Sequence, residues 1–296
     1  MKKGIILINA YANLKGIAYQ SARIKEELMS LGVSVDIVKN DILATKISEG
    51  GGIESALSEY DFCVYLDKDK YISDMLMGLG IRLFNSHGAI CDCDDKMTTL
   101  IRLAKAGIPV PKTIPGLLCY TDGASLSDSL IDKIEGELGY PVIIKECYGS
   151  LGKEVYKADT RDELIEISTR LMKKPHLYQR LVKTSVGKDI RVIAVGGVVR
   201  GAMLRSSTTD FRSNIELGGV GAPYPIDDEL RSLCERVAGT IGLDYCGIDI
   251  LFGEDGYLVC EVNSNAFFGG IESVTGLNIA REYAEHIYNE IYNKGE

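Results

Sequence analysis

The sequence is short of the residues that several common kinds of site require. It has three histidines, His87, His176 and His286, and eight scattered cysteines, of which only Cys91 and Cys93 are close, with one residue between them. That spacing builds neither a zinc site nor a disulfide framework, so the thiols read as reduced, mostly buried small hydrophobes in a cytoplasmic protein. No Lys/Arg run exceeds two and the net charge is −9, which removes the electrostatic footprint of a DNA, RNA or anionic-membrane partner. No stretch approaches 18 apolar residues, so no segment is expected to span a bilayer. The opening MKKGIILINAYA has lysines before an apolar run, but the run is short. Asn9, Tyr11 and Asn13 suit a buried first strand and loop better than a secretory signal. Phosphate-binding patterns of the G-x-x-x-x-G-K-[ST] and G-x-G-x-x-G kinds are absent, and so is a His-Arg-Asp set.

What is present suffices for one large core or two to three subdomains: 296 residues, 46% apolar and 25% charged. GIILINA, VSVDIV and FCVYL read as strands, and AYQSARIKEELMSLG as a helix ending at Gly32, which together make a parallel α/β unit. DDKMTTLIRLAKAG reads as a helix with Met97, Leu100, Ile101 and Ala104 on its inner face, Asp94 or Asp95 as N-cap and Gly107 as its stop. The stiff IPVP that follows places a domain boundary close to the start of this helix. Further on, YPVIIKE and HLYQRLV read as strands and RDELIEISTRLMKK as a helix. The runs flanking Gly196-Gly197 read as a hairpin. A polar, glycine-rich stretch from Ser206 to Pro225, the helix DDELRSLCERVAGTIG, the strands GIDILF and YLVCEVN and one closing helix complete the chain.

The last strand pair carries the charge. With Leu251 opposite Val259, Asp249 lies across from Glu261, and Ile248, Ile250, Phe252, Leu258, Cys260 and Val262 share an apolar face. Gly247, Asp249, Leu251, Val259, Glu261 and Asn263 then share the other. With Phe252 opposite Tyr257 instead, Asp249 would be buried among apolar residues, at several kcal/mol or a large pKa shift. In the favoured register two carboxylates and an amide oxygen converge, the hard-oxygen set that Mg²⁺ takes when water and phosphate complete its shell. The competing reading is a solvated face of an edge hairpin. Lys145, ending an apolar strand, is expensive without an anionic partner, and the glycines of YGSLG would let backbone N–H groups approach a polyphosphate. Taken singly, that piece is equally a strand-end turn with a snorkelling lysine.

In sequence order, DDKMTTLIRLAKAGIPVPKT, YPVIIKECYGSLGKEV, GKDIRVIAVGGVV, DFRSNIELGG, GLDYCGIDIL and CEVNSNAFFGGIESVTGLNIA resemble the ATP-grasp superfamily, and within it the RimK-type ribosomal-protein glutamate ligases. The resemblance runs from about residue 90 onward. It implies an ATP-grasp fold: an N-terminal α/β domain (1–93), then two α+β subdomains (94–180 and 181–296) that clasp ATP. It also implies an ATP-dependent carboxylate–amine ligase working through an acyl phosphate, with glutamate or another amino acid as a substrate and Mg²⁺, two ions or Mn²⁺ in their place, as cofactor. Carried over by position, Lys96 and Lys145 would contact phosphates and the loop of Gly149, Ser150 and Gly152 would close over them. Gln179, Arg180, Leu181 and Val182 would form the adenine hinge, with Asp189 near the ribose. Arg205, Arg212 and Asn214 would surround the transferred phosphoryl group, and Asp249, Glu261 and Asn263 would hold the metal. Such chemistry needs positioned cations more than proton shuttles, which accords with the absence of a Ser/His/Asp or Cys/His set.

Two stretches depart from the family pattern. Arg180 stands where family members usually carry an acidic residue, and SNAFFGG replaces a Ser-Pro-Gly-Leu-type stretch beside the acceptor site. The first loop, within AYANLKGIAYQ, is also longer than expected. The alternative function is a nucleotide-binding protein that keeps the clasp without ligase activity, and a carboxylate kinase is a third. Expected partners are a carboxylate and an amine, small molecule, peptide or carrier protein, with no nucleic acid and no membrane, and with self-association as in relatives.

Overall fold

The computed structural model describes residues 2–292 except 13, 43, 44, 151, 216 and 217. Its first layer contains β1 (Lys3–Ile8), α1 (Lys15–Ser30), β2 (Ser34–Lys39), a small ribbon of β3 (Lys46–Ile47) and β4 (Ile53–Glu54), β5 (Phe62–Leu66), α2 (Lys70–Gly78) and β6 (Arg82–Phe84). The four long strands form a parallel sheet ordered β2-β1-β5-β6. The centre of this sheet is apolar on both faces because helices cover both. Ile6 and Val64 pack with Ile24 and Leu28 of α1, while Ile5, Leu7, Cys63 and Tyr65 pack with Leu76 of α2. Asn13, expected in the loop after β1, lies outside the described residues.

Next come α3 (His87–Asp94), α4 (Lys96–Lys105), β7 (Thr113–Pro115), α5 (Asp128–Leu138), β8 (Val142–Glu146), β9 (Val155–Ala158), α6 (Arg161–Leu171) and β10 (His176–Arg180). The strands form an antiparallel sheet ordered β7-β10-β8-β9. Strand alternation divides its two faces. Val142, Ile144 and Tyr178 join Ile131, Ile134 and Leu164 of α5 and α6 in one core, and Ile143, Lys145 and Gln179 face a cleft. Helix α5 has no counterpart among the elements read from the sequence, where Gly136 interrupts its apolar spacing.

The inner face of α4 differs from expectation. Asp95 caps the helix as read, accepting from Met97 and Thr98 N–H, but the buried residues are Thr99, Leu100 and Leu103, and Ile101 is exposed. The Thr99 hydroxyl donates to the Asp92 and Asp95 carbonyls, so it turns inward without an orphaned polar group. With one polar residue satisfied inside, the helix sits about one position round from the purely apolar reading.

The third group comprises β11 (Lys188–Val195), β12 (Val198–Ser206), β13 (Val220–Pro223), α7 (Asp228–Ile241), β14 (Tyr245–Phe252), β15 (Tyr257–Asn263), α8 (Gly269–Thr275) and α9 (Ile279–Tyr292). The strands form an antiparallel sheet ordered β13-β12-β11-β14-β15. Gly196 and Gly197 turn the hairpin with φ of 58° and 78°, the paired positive φ of a two-residue turn that twists with its strands. Strand β13 lies inside the stretch read only as polar connection, and two helices follow β15 where one was read. The apolar face of this sheet, including Ile190, Val192, Ile248, Ile250 and Val262, is covered by Val237 and Ile241 of α7 and by Leu103 of α4.

Helix α9 returns to the first layer: Ile279, Tyr283 and Ile287 share a core with Ile24, Leu28 and Ile6. Each fully buried aliphatic side chain there stabilises by about 1.5–3 kcal/mol. Asn85, following β6, adds a polar tie: its amide donates to the Tyr245 and Ser264 carbonyls at 2.8 Å and accepts from Tyr245 N–H at 2.9 Å. The expected units 1–93 and 181–296 are thus joined by one continuous core.

Candidate active site

The outward face of the five-stranded sheet is a row of charges set by cross-strand register. Asp189 pairs across with Arg205, Arg191 with Asp249, and Asp249 with Glu261. Arg205 is 3% exposed, and its guanidinium donates to both Asp189 oxygens at 2.7 and 2.6 Å and lies 3.0 Å from Asp249 Oδ2. Arg191 donates to both Asp249 oxygens, Nη2 to Oδ2 at 2.9 Å. Burial alone would raise the Asp249 pKa, but the two guanidinium charges and their hydrogen bonds outweigh it and hold the carboxyl at about 2. Arg205 is correspondingly held protonated against its own burial by Asp249 and Asp189.

The register of β14 and β15 combines both sequence-level alternatives. From Gly247 to Asp249 it is the favoured one, with Asp249 opposite Glu261. From Ile250 to Phe252 it is the rejected one, with Phe252 opposite Tyr257. Cys260 is the extra residue of a β-bulge between them, and one inserted residue reverses which face the rest of the strand presents. Val259, assigned to the polar face from the pattern, therefore enters the core. Cys260, assigned to the apolar face, lines the cleft. Burial pushes the Cys260 thiol pKa up, opposed in part by Lys145.

The cleft lies between this charged face and the cleft face of the middle sheet. Its 110 Å³ is lined by Lys145, Gly152, Gln179 to Val182, Asp189, Arg205, Arg212, Asn214, Asp249 and Glu261. Lys145 is 8% exposed, has no ion pair among the described residues, and donates only to Cys260 Sγ at 3.4 Å. A buried ammonium in that setting fits an anionic ligand. Lys96 lines no part of the cleft but reaches its edge, donating to the Gly149 carbonyl at 2.9 Å and standing 3.6 Å from Glu261 Oε1. Gly149 has φ 140°, and a Cβ there would meet Glu154 Oε2 at 2.5 Å, so the turn needs glycine. Leu151, inside this loop, lies outside the described residues, as do Glu216 and Leu217 after Asn214.

Three of the expected residues line the cleft but have side chains engaged by other parts of the protein. The Asp189 carboxylate is turned to Arg205, because a buried guanidinium needs its charge matched, so its oxygens orient a cation. The Arg180 guanidinium points away from the cleft to the Glu137 carbonyl at 2.8 Å, reaching the last turn of α5 from the C-terminal end of β10. The Gln179 side chain is buried and donates to Thr113 Oγ1 at 2.9 Å, so it braces β7. Arg212 pairs with Asp210 and donates to the Gly152 carbonyl, tying the glycine loop to the far wall.

A second cavity of 330 Å³ adjoins the cleft and shares Arg205, Asn214, Asp249 and Glu261 with it. Ser150, Arg191, Asn263, Asn265, Ala266 and Phe267 line it on one side. Asn9, Ala12, Leu66, Asp67 and Lys68 of the first layer line it on the other. Asn9 and the long first loop that holds Ala12 were noted from the sequence, the loop as part of an acceptor pocket or a plain surface loop, whereas Leu66, Asp67, Lys68 and Arg191 were not singled out. Arg191 was findable, because it repeats the Asp189 face at a spacing of two in KDIRVIAV, whereas Asp67 follows a strand with no polar pattern to flag it.

The donor chemistry fits a divalent cation. Glu261 is partly open to the cavity, and Asn263, two residues on, has no hydrogen bond to its amide among the described residues. Asp249 fits as a ligand only by sharing oxygens with Arg191 and Arg205. Among the described residues no cluster of three His, Cys, Asp or Glu could hold a metal alone. Few protein ligands completed by phosphate and water is the arrangement Mg²⁺ adopts.

The antiparallel sheets facing one another across this cleft, after a parallel first layer, make an ATP-grasp fold. A solved RimK domain ATP-grasp protein from Sphaerobacter thermophilus matches 96% of this chain and 98% of its own with a TM-score of 0.71 at 20% identity. The model of the RimK-like ATP-grasp domain matches residues 93–287, and the chain belongs to that family. Human N-acetylaspartylglutamate synthase A is 37% identical over 234 residues, 78% of this chain. A probable alpha-L-glutamate ligase of Maridesulfovibrio salexigens is 34% identical over 212 residues, 71% of this chain and 68% of its own. The chain spans 58% of the length of the human synthase.

Proposed function

We propose that the protein is an ATP-dependent ligase that joins a carboxylic acid to an amine. The γ-phosphoryl group passes to a carboxylate oxygen, the amine nitrogen bonds to the acyl carbon, and phosphate departs with the broken C–O bond, leaving ADP and an amide. The observation that carries the reading is Lys145, a buried ammonium facing the cleft with no ion pair among the described residues. Relatives whose names specify glutamate ligation support glutamate as the amine and a small carboxylate such as N-acetylaspartate as the acid.

In this reading Lys145 and Lys96 contact the phosphates beneath the loop of Gly149, Ser150 and Gly152, and the backbone from Gln179 to Val182 borders the adenine. Arg205 and Asn214 stand at the junction of cleft and cavity, where the phosphoryl group would cross, and Arg212 approaches it from the cleft side. Glu261 and Asn263, with Asp249 shared, would hold Mg²⁺, two ions as the family pattern implies, whose charge would neutralise that of the phosphates. Asp189 positions Arg205. The functional units are 1–93, 94–180 and 181–296, and the protein works in the cytoplasm, where its eight free cysteines stay reduced, with no nucleic-acid partner. Self-association is part of the same proposal.

The test is ADP release from ATP and Mg²⁺ with pooled carboxylates and amines: turnover that needs both pools is expected. One observation favours a clasp that binds nucleotide without turnover, namely that both Asp249 oxygens are taken by arginines. Tight ATP binding with no ADP in any pool would establish that second reading, and steady ADP release that needs the carboxylate pool but no amine, with acyl phosphate set free, would indicate a carboxylate kinase.

A further inference from the structure

The first layer carries a carboxylate that the nucleotide chemistry does not use. In the sheet order β2-β1-β5-β6, the chain leaves β1 toward β2 on one side and leaves β5 toward β6 on the other. The crevice beyond the carboxyl ends of β1 and β5 is therefore a topological switch point, the place where open parallel sheets bind ligands. Asn9 follows β1 and Asp67 follows β5, and both line the 330 Å³ cavity whose other wall holds Arg205, Asp249 and Glu261.

Asp67 is 8% exposed and has no ion pair among the described residues. Its oxygens are held by neutral donors: the Lys68 backbone N–H at 2.7 Å, the Asn40 amide at 2.8 Å and the Asn9 amide straddling both oxygens at 3.2 Å. The charged groups around it are otherwise occupied. Lys68 Nζ lies 3.2 Å from Asp94, Arg191 is bound to Asp249, and Arg205 is bound to Asp189 and Asp249. Burial pushes the Asp67 carboxyl upward, and the neutral donors offset only part of that push. The long, shared Asn9 contact leaves lone-pair capacity for a shorter charge-assisted bond.

We propose that Asp67, positioned by Asn9 and Asn40, binds the amino group of the amine substrate in its ammonium form. The carboxyl end of either substrate is repelled by an uncompensated carboxylate, whereas the amino group of the amine substrate is cationic at neutral pH and supplies the missing charge. The cavity then holds amine at the switch-point end and acyl phosphate at the Arg205 end. This site rests on the ligase reading, and the experiment separates the two.

Wild-type protein is first given ATP, Mg²⁺, hydroxylamine and a carboxylate library that includes N-acetylaspartate. Hydroxylamine is largely uncharged near neutral pH, so hydroxamate reports activation of the acid independently of an ammonium site, and its absence overturns the ligase reading alone. With the trapped acid and L-glutamate as amine, Asp67→Asn is expected to raise the KM for glutamate about tenfold to a hundredfold. The KM for ATP should move less than twofold. An unchanged KM for glutamate, or an equal rise for ATP, overturns the site. Asn40→Ala, which removes one of the bonds holding the carboxylate, should raise the same KM by about threefold. No rise in that variant also overturns the site, should Asp67→Asn fail to fold. If no acid is trapped, calorimetric titration of glutamate into ATP-saturated protein decides: binding lost in Asp67→Asn supports the site, and no binding to the wild type overturns it.

Discussion

The cleft and the cavity share Arg205, Asn214, Asp249 and Glu261, yet they are assembled in opposite ways. The cleft is made mostly from strand residues that alternate with core residues, so its side chains are projected by the pleat of two antiparallel sheets. The cavity is closed on its first-layer side by residues just past strand ends, Asn9 after β1 and Asp67 after β5. A site on alternating strands leaves a period of two in the sequence, and a site at strand ends leaves none. The shared residues also differ in kind: Arg205 and Asp249 are bound within a buried charge network, while Glu261 remains open to incoming ligand.

That contrast can be broken experimentally. Arg205→Ala strands the buried Asp189 carboxylate and removes one of the two guanidiniums paired with Asp249, and is expected to destabilise the protein by about 3–5 kcal/mol, measured by urea denaturation. A change under 1 kcal/mol would mean that the network is not the frame of the site. Glu261→Ala should leave stability nearly unchanged but lower ADP release by about 10²–10³. Near-normal turnover would remove Glu261 from the metal site and erase the distinction between it and Arg205. Asn85→Ala unpairs the Tyr245 N–H and two carbonyls where the first layer meets the five-stranded sheet, a loss of about 1–3 kcal/mol. If the KM for glutamate rises in that variant more than the KM for ATP, the cavity depends on this junction and the cleft does not. Arg180→Ala, whose side chain faces away from the cleft, should change the KM for ATP by less than about twofold. A larger rise would return its side chain to the nucleotide.

Much of this architecture was legible because the pattern and the physics agreed. Val142, Ile144 and Lys145, the turn at Gly196-Gly197 and the pairing of Asp249 with Glu261 follow from alternation, from positive φ and from the expense of burying an unpaired carboxylate. The misreadings have equally local causes. The bulge at Cys260 has no side-chain signature, yet it moves Val259 into the core and Cys260 to the cleft. Thr99 faces inward on α4 because its hydroxyl finds two carbonyls, which no apolar count reveals. The partners that engage the Asp189 and Gln179 side chains, Arg205 and Thr113, are likewise invisible to a local pattern.

Taken alone, the sequence determined the strand faces up to the bulge in β15, the cap and stop of α4, and the order of the family motifs, because these depend on neighbours two to four residues apart. Only the tertiary structure decided that α9 completes the first layer, that two arginines occupy Asp249, and that Asp67 looks across a cavity toward Glu261. Those outcomes depend on which distant elements share a core and which buried charges find partners, and no local periodicity encodes either.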